Sequence, residues 1–308
     1  MTDAAHHHQA IVVGVDGSSS SGPALAWAIE EASVRRLPIH LISAWSGDYP
    51  TQTLGQDLAV ILERCHTILT AARHEVETVN PSLSVTTSAS TDPAPQAIVE
   101  ASHGADSVVV GSRGRRPLAS ALLGGTGLVV AARASCPVVV VHPAERDTPQ
   151  LGPVVVGVDG SALSEDAVAY AFAHAAQRDV GLIVVHAWQP EYVAGVISSL
   201  SVEDGNTRLA DEQQSLTAES IAGWREKFPD VNVRTRVVAG HPVEALARQS
   251  ATAGLVVVGS HGRGPLGSAL LGSVSQGVLR RAQCPVVIVR PQATAQRDLR
   301  WSAQLANH

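Results

Sequence analysis

The sequence predicts an α/β protein made of two tandem doubly wound domains, each with a five-stranded parallel sheet flanked by helices. The first observation is length, because 308 residues suffice for two domains of roughly 150 residues each. The second is an internal repeat that spans almost the whole chain. The third is that short apolar runs alternate with amphipathic helical stretches in each copy, as in parallel sheets covered on both faces.

The repeat defines the domain organisation. IVVGVDGS at 11–18 recurs as VVVGVDGS at 154–161, an offset of 143 residues. SVVVGSRGR at 107–115 recurs as LVVVGSHGR at 255–263, an offset of 148 residues, so the second copy has a longer middle segment. A segment rich in proline and charge joins the copies. We therefore predict one domain over 1–147 and a second over 148–308.

Each copy predicts the same order of elements. The opening valine-rich run ends in Asp-Gly, which is typical of a buried strand that runs into a turn. Apolar residues at helical spacing then mark one face of a helix in each copy: Leu25, Ala28, Ile29 and Ala32, repeated as Val168, Ala171, Phe172 and Ala175. The pattern continues with a strand at 39–45 or 181–188, a helix at 54–79 or about 205–227, a strand at 84–88 or 232–238, a helix at 95–103 or 242–253, the VVVG strand, a further helix and a last strand.

Composition narrows the class of partner. The formal net charge of −6 argues against broad electrostatic binding to nucleic acid. No apolar run is long enough to span a bilayer, and residues 1–10 lack the apolar segment of a signal peptide. Cys65, Cys136 and Cys284 do not form a disulfide framework, and the last two open apolar strands where a buried, inert thiol is expected. We therefore expect a cytoplasmic protein without nucleic-acid or membrane partners.

Two features converge on the carboxyl ends of the strands, where ligands bind in open α/β sheets. One is the aspartate that ends the first strand of each copy, Asp16 or Asp159. The other is the glycine-rich loop after the VVVG strand, which leads into a helix. Its members are Gly111, Gly114, Gly124 and Gly125 in the first copy, and Gly259, Gly262, Gly272 and Ser273 in the second.

These residue types suit a nucleotide. Glycines let the backbone approach phosphate oxygens, and the amides at a helix N-terminus favour an anion. A serine there adds a hydroxyl donor, and the aspartate can accept from ribose hydroxyls or an adenine amino group. One such spacing is a weak signal, but its presence at the same place in both copies strengthens it. The alternative is that the glycines only permit tight turns with positive φ.

The motif resembles that of the universal stress protein family in its tandem-domain form, over residues 10–142 and 153–290. ATP-binding members show G-2x-G-9x-G-[S/T], which the second copy matches in full. The resemblance implies phosphate contacts from this loop, a ribose or adenine contact from Asp159, and an adenine contact from the backbone near Ala187. In the first copy Asp16, Ala44, Gly111, Gly114 and Gly124 match, but Gly125 stands where the family has Ser or Thr, with Thr126 one residue late.

Other candidates have two interpretations each. Arg113, Arg115 and Arg116, or His261 and Arg263, could neutralise phosphate or form a solvated loop face. Trp45 and Trp188 could stack on a base or pack in the core. His6, His7 and His8 could bind a metal or belong to a loose N-terminal tail.

The sequence favours an ATP-binding stress or regulatory protein without robust catalysis, in which ATP, with or without Mg, acts as a ligand. One alternative is a weak ATPase or other adenine-nucleotide enzyme. Another is a scaffold that binds AMP or a cyclic nucleotide, and a scaffold without nucleotide suits the first copy better than the second. The family resemblance also implies that two chains form a homodimer, with the copies pairing through their last strands.

Overall fold

The computed structural model of the chain describes residues 9–45, 56–113, 125–143, 152–161, 164–188, 202–262 and 271–290. The chain divides into two compact units, Met1–Glu145 and Arg146–His308. None of the helices within the described ranges is long and apolar enough to cross a membrane.

The first unit contains a parallel sheet in the order β3-β2-β1-β4-β5. The chain runs outward from β1 through β2 to β3, and then returns to β4 on the other side of β1. This reversal places a crevice beyond the carboxyl ends of β1 and β4. The elements are β1 (Ile11–Gly14), α1 (Ser21–Arg35), β2 (Ile39–Trp45), α2 (Gln56–Val79), β3 (Val85–Pro93), α3 (Ala94–Ala101), β4 (Ser107–Gly111), α4 (Gly125–Arg133) and β5 (Val138–Val141).

The second unit repeats this topology, with the parallel order β10-β9-β6-β7-β8. The predicted fold class, with a five-stranded parallel sheet and flanking helices in each copy, is therefore confirmed. The elements are β6 (Val154–Val158), α5 (Glu165–Arg178), β7 (Leu182–Trp188), α6 (Val202–Lys227), β8 (Val233–Ala239), α7 (Pro242–Ser250), β9 (Leu255–Gly259), α8 (Ser273–Arg281) and β10 (Val286–Val289).

Valine-rich strands and alanine-rich helix faces form the core of each unit. The predicted helix stripes of both copies are buried, and the central strands are almost completely buried on both faces. Cys65, Cys136 and Cys284 are buried and form no disulfide among the described residues, and burial was predicted for the last two. Burial raises the pKa of the Cys284 thiol to about 12, so at neutral pH this thiol is protonated and a poor nucleophile.

The third helix of each unit is shorter than the predicted helix, and a buried serine lies at its end. Ser102 and Ser250 are completely buried, and each hydroxyl donates to a backbone carbonyl three residues earlier. Each hydroxyl also accepts a hydrogen bond from a backbone amide just before the last strand, that of Ser135 or Gln283. The same side chain thus closes the helix and ties it to the next turn. This contact is long-range in sequence, so the local apolar pattern does not reveal it.

Candidate functional site in the second unit

A cavity of about 240 Å³ lies at the carboxyl ends of β6, β7 and β9, between the start of α7 and the start of α8. Ligand sites typically enclose roughly 300–1,000 Å³, so this cavity is slightly smaller than a typical site. The lining brings together every site residue that the sequence predicts for this copy: Asp159, Ala187, Gly259, Gly262, Gly272 and Ser273.

The cavity opens where β6 separates from one of its two neighbours. The pairing of β6 with β9 ends at Val156, whereas its pairing with β7 continues to Val158. The last residues of β6 therefore border a gap on the β9 side. This gap is the topological switch point of the sheet, the place where open α/β folds bind ligands.

Asp159 follows β6 directly and is held by the turn after it. Its Oδ1 atom accepts hydrogen bonds from the Ser161 amide at 3.0 Å and the Ser161 hydroxyl at 2.6 Å. Gly160, between them, has a φ of 74°, a left-handed conformation that favours glycine. The Oδ2 atom faces the glycine loop, because a Cβ added at Gly262 would lie 2.8 Å from it. The glycine therefore lets the loop backbone approach the carboxylate.

The first turn of α8 borders the cavity beside the glycine loop, because a Cβ added at Gly272 would lie 3.8 Å from the Gly262 nitrogen. Gly272 is the N-cap residue in an extended conformation, and its amide donates to the Ser260 carbonyl at 2.8 Å. Ser273 is exposed at the first helical position, while the buried Ser275 hydroxyl donates to the Gly259 carbonyl at 2.6 Å. The first amides of a helix lack acceptors within the helix, and the helix dipole adds positive potential there. This part of the cavity suits an anion.

Apolar residues also line the cavity. They include Val185, Pro242, Leu246, Val258 and Val274. Gly157 makes the approach of Leu246 possible, because a Cβ there would lie 2.9 Å from Leu246 Cδ1. An apolar slot with a few convergent polar groups is typical of a small-molecule site.

His261 lies in the glycine loop and lines the same cavity. Its Nδ1 atom is 3.0 Å from the Ser260 hydroxyl, whereas its Nε2 atom is enclosed without a hydrogen-bond partner among the described residues. Its counterpart Arg113 is exposed, which agrees with a solvated loop face. The other candidate arginines, Arg115, Arg116 and Arg263, lie outside the described residues.

In the first unit, Asp16, Ala44 and Gly111 lie at the same edge of the sheet, because they come at or after the carboxyl ends of β1, β2 and β4. Asp16 Oδ1 accepts from the Ser18 amide at 2.9 Å, as Asp159 does from Ser161. Gly125 begins α4 with open space around its Cβ direction, and Thr126 follows it half-buried. Gly114 and Gly124 lie outside the described residues.

Gly111 has a packing role that the motif does not show. A Cβ at this position would lie 2.6 Å from the Ser20 carbonyl oxygen, which is too close for any side chain. The loop after β4 is therefore in close backbone contact with the start of α1. This contact alone is sufficient to require glycine at 111, whether or not a ligand binds.

Of the remaining candidates, Trp188 is buried at 7% exposure and is not among the cavity-lining residues, which favours packing. Trp45 ends β2, but its side chain is outside the description. His6, His7 and His8 also lie outside the described residues. Within the described ranges, no group of three or more His, Cys, Asp or Glu side chains could hold a metal ion.

Sequence reasoning missed nine of the described cavity-lining residues, among them Ser164, Pro242, Leu246 and Ser275. A signal existed for the first, since the Ser164 hydroxyl donates to the Ser161 carbonyl as the Ser21 hydroxyl donates to the Ser18 carbonyl. This repeated Ser-x-x-Ser pair follows both aspartates in the sequence. Ser275 has no such signal, because its counterpart in the first copy is Gly127.

Fold and site together define a tandem α/β protein of the class that binds ligands at a sheet switch point. A model of the universal stress protein family matches residues 7–142 and 151–290, and the chain belongs to this family. Among curated relatives, universal stress protein Rv2005c of Mycobacterium tuberculosis is 39% identical over 290 residues, with 91% of this chain and 96% of the relative covered. A universal stress protein of Mycolicibacterium smegmatis is 38% identical over 293 residues, with 92% and 97% covered.

A solved structure of a universal stress protein agrees on the fold. The crystal structure of a universal stress protein from Archaeoglobus fulgidus has a TM-score of 0.67 at 20% identity and covers 94% of this chain and 98% of its own. A single-domain match at 30% identity, described as a universal stress protein in complex with cAMP, covers 45% of this chain and 96% of its own, with a TM-score of 0.31.

The packing of Gly111 gives a test in the first unit. We expect Gly111→Ala to lower the free energy of unfolding by about 1–3 kcal/mol, because the added methyl group must displace the Ser20 backbone. Gly125→Ala is the matched control from the other end of the same loop, since no atom of the described residues lies within 4 Å of its Cβ direction. Alanine in the helix should leave stability unchanged or raise it by up to about 1 kcal/mol. Urea unfolding of both variants measures this, and equal stabilities would refute the close contact.

Proposed function

We propose that the second unit binds ATP and that the chain acts as an ATP-dependent regulatory module of the stress response. One observation carries this proposal: six positions chosen from the sequence line one cavity. Its lining combines a carboxylate, a helix N-terminus and apolar side chains, which are the groups that a nucleotide site requires.

Each part of ATP has a chemically suitable neighbour in this proposal. Val185, Leu246 and Val258 would flank the adenine, while backbone groups near Ala187 would meet its polar edge. Asp159 would accept from the ribose hydroxyls. The amides of the α8 first turn, with the Ser273 hydroxyl, would bind phosphate oxygens. ATP supplies a flexible polyanion that can carry Mg²⁺ on its own phosphates.

The geometry supports a ligand role more than a catalytic one. The Asp159 carboxylate already accepts two hydrogen bonds from Ser161, and in this proposal it contacts the nucleoside. A base that activates water would have to reach the phosphate end. A ligand bound only by the native state stabilises it by about 2.7 kcal/mol at a concentration of 100 times Kd. ATP can therefore shift the population of conformations that partners meet.

Removing the aspartate tests the nucleoside contact. We expect Asp159→Ala to weaken ATP binding about 10- to 100-fold, because a hydrogen bond to a charged acceptor contributes roughly 1.5–3 kcal/mol. Asp159→Asn keeps an oxygen for Ser161 and should lose less affinity. Asp211→Ala, an exposed change on α6, is the control that should leave affinity unchanged. Titration calorimetry on the folded variants makes the measurement, and wild-type affinity in Asp159→Ala would disprove the assignment.

The same titrations should compare ATP with AMP and cAMP. If the helix N-terminus binds the outer phosphates, ATP should bind more tightly than AMP, which has fewer phosphate oxygens to place there. Tighter binding of cAMP would favour the scaffold alternative. Release of phosphate over repeated turnovers, abolished in the Asp159→Ala variant, would favour an ATPase.

A substitution at the N-cap residue Gly272 should change ATP affinity without changing the stability of the fold. Gly272→Asp places a carboxylate beside the proposed phosphate site, and we expect ATP affinity to fall at least about tenfold. The fold should not suffer, since Gly272 has ordinary extended angles and, among the described residues, no atom lies closer than 3.4 Å to its Cβ direction. Asp is also a favourable N-cap residue, within a few tenths of a kcal/mol of Gly or better. Gly272→Asn is the neutral isostere and should retain most of the affinity; equal losses in both variants would rule out the charge effect.

The Ser273 hydroxyl at the start of α8 has no counterpart at Gly125, so we expect the second unit to bind ATP more tightly than the first. Ser273→Gly should weaken ATP binding in the second unit by about tenfold, because a donor to a charged oxygen is lost. The reverse change, Gly125→Ser, should tighten binding in the first unit, where space for the side chain exists. Calorimetry resolves the two sites by affinity. If neither variant changes either site, backbone amides alone bind the phosphates.

A further inference from the structure

His186 is a buried residue next to the cavity lining, and the proposed binding scheme does not use its side chain. It lies on β7 between two lining residues, Val185 and Ala187, so its own side chain leaves the opposite face of the sheet. Its exposure is 6%. A histidine enclosed this far requires partners for its ring nitrogens.

Both ring nitrogens have partners, and the first is a backbone group of the site. His186 Nδ1 donates to the Val158 carbonyl at 3.0 Å. Val158 is the last residue of β6 and immediately precedes Asp159. Since the pairing with β9 has already ended at Val156, only β7 holds this end of β6. The imidazole is therefore a second connection between β7 and the peptide that carries the aspartate.

The other nitrogen connects this peptide to a helix outside the cavity lining. His186 Nε2 lies 2.8 Å from the side-chain amide of Gln213 on α6, and because Nδ1 carries the proton, the amide NH2 group is the donor to Nε2. The Gln213 carbonyl in turn accepts from the buried Thr217 hydroxyl at 2.6 Å, one helical turn further on. A chain of hydrogen bonds thus runs from α6 to the end of β6.

We propose that His186 is a positioning residue for the nucleotide site of the second unit. It fixes the Val158 carbonyl, so that the Asp159 turn is set before a ligand arrives, and through Gln213 it makes this turn depend on α6. The expected effect of His186 on ATP affinity rests on the proposed function. The expected effect of His186 on the Asp159 turn does not, because it can be measured without any nucleotide.

The first unit lacks this arrangement, which gives an internal comparison. The residue in the place of His186 is Ser43, whose shorter side chain has one hydroxyl group in place of two ring nitrogens. The register between β1 and β2 ends at Gly14 with Ile42, whereas that between β6 and β7 includes the extra pair of Val158 with His186. The added pair and the histidine occur at the same position of the fold.

Two substitutions of His186 test the contacts of its two ring nitrogens separately. His186→Asn places an amide nitrogen near the position of Nδ1 and keeps the donor to Val158. His186→Gln places its amide near the position of Nε2 and keeps the contact to Gln213. Gln213→Leu removes the helix contact and leaves the histidine. Urea unfolding of all three variants shows how much stability each change costs.

The ligand-free readout is hydrogen exchange of the Ser161 amide, which donates to Asp159 Oδ1. We expect exchange about tenfold faster in His186→Gln and within about twofold of wild type in His186→Asn, since opening of the turn sets the rate. A merely structural role would speed exchange in proportion to the loss of global stability in both variants. Equal exchange in His186→Gln and wild type would overturn the proposal.

The second readout is ATP affinity by calorimetry. We expect about a tenfold loss in His186→Gln, rescue in His186→Asn, and a smaller loss in Gln213→Leu. A double variant of His186→Gln and Gln213→Leu should lose less than the sum of the two single losses. If wild type binds no ATP, the proposed function fails, while the exchange data still decide whether His186 sets the Asp159 turn. Unchanged affinity in His186→Gln, with faster exchange, would refute the link between turn and site.

Discussion

Two parallel strands that diverge at the end of a sheet leave backbone groups that no neighbouring strand can pair. In the second unit this happens where β9 stops pairing with β6 at Val156, two residues before β6 itself ends. The sheet cannot fill this gap, so loops, a helix end and side chains surround it. The cavity, the turn at Asp159 and the glycine loop all depend on this one divergence.

The fold and six cavity-lining positions of the second unit could be predicted because both depend on local patterns. Valine runs, helix stripes and glycine spacing are visible in the sequence, and the repeat shows which of them occur twice. Contacts between distant segments were not predictable in this way. The Ser250 bond to Gln283, the Ser275 bond to Gly259 and the approach of Gly111 to Ser20 each require the folded backbone. His186 is a further example, since the sequence HAW does not reveal which atoms surround the ring.

The two units share a framework but differ in the details that hold the aspartate. Asp159 Oδ1 accepts from both the amide and the hydroxyl of Ser161, whereas Asp16 Oδ1 accepts from the Ser18 amide. The Ser18 hydroxyl is enclosed without a hydrogen-bond partner among the described residues. Duplication therefore preserved the backbone arrangement and left the side-chain contacts free to diverge. Such divergence permits one copy to respond to a ligand differently from the other.

The glycine at the start of α8 has a consequence for the helix itself. Most helices begin with a residue whose side chain accepts from the first amides, but Gly272 has no side chain with which to do so. The Ser275 hydroxyl does not compensate, because it donates to the Gly259 carbonyl. An anion bound at this point would supply the missing acceptor, so the ligand would act as the cap of the helix. The first turn of α8 would then be well ordered while the anion is bound and prone to fray after the anion dissociates.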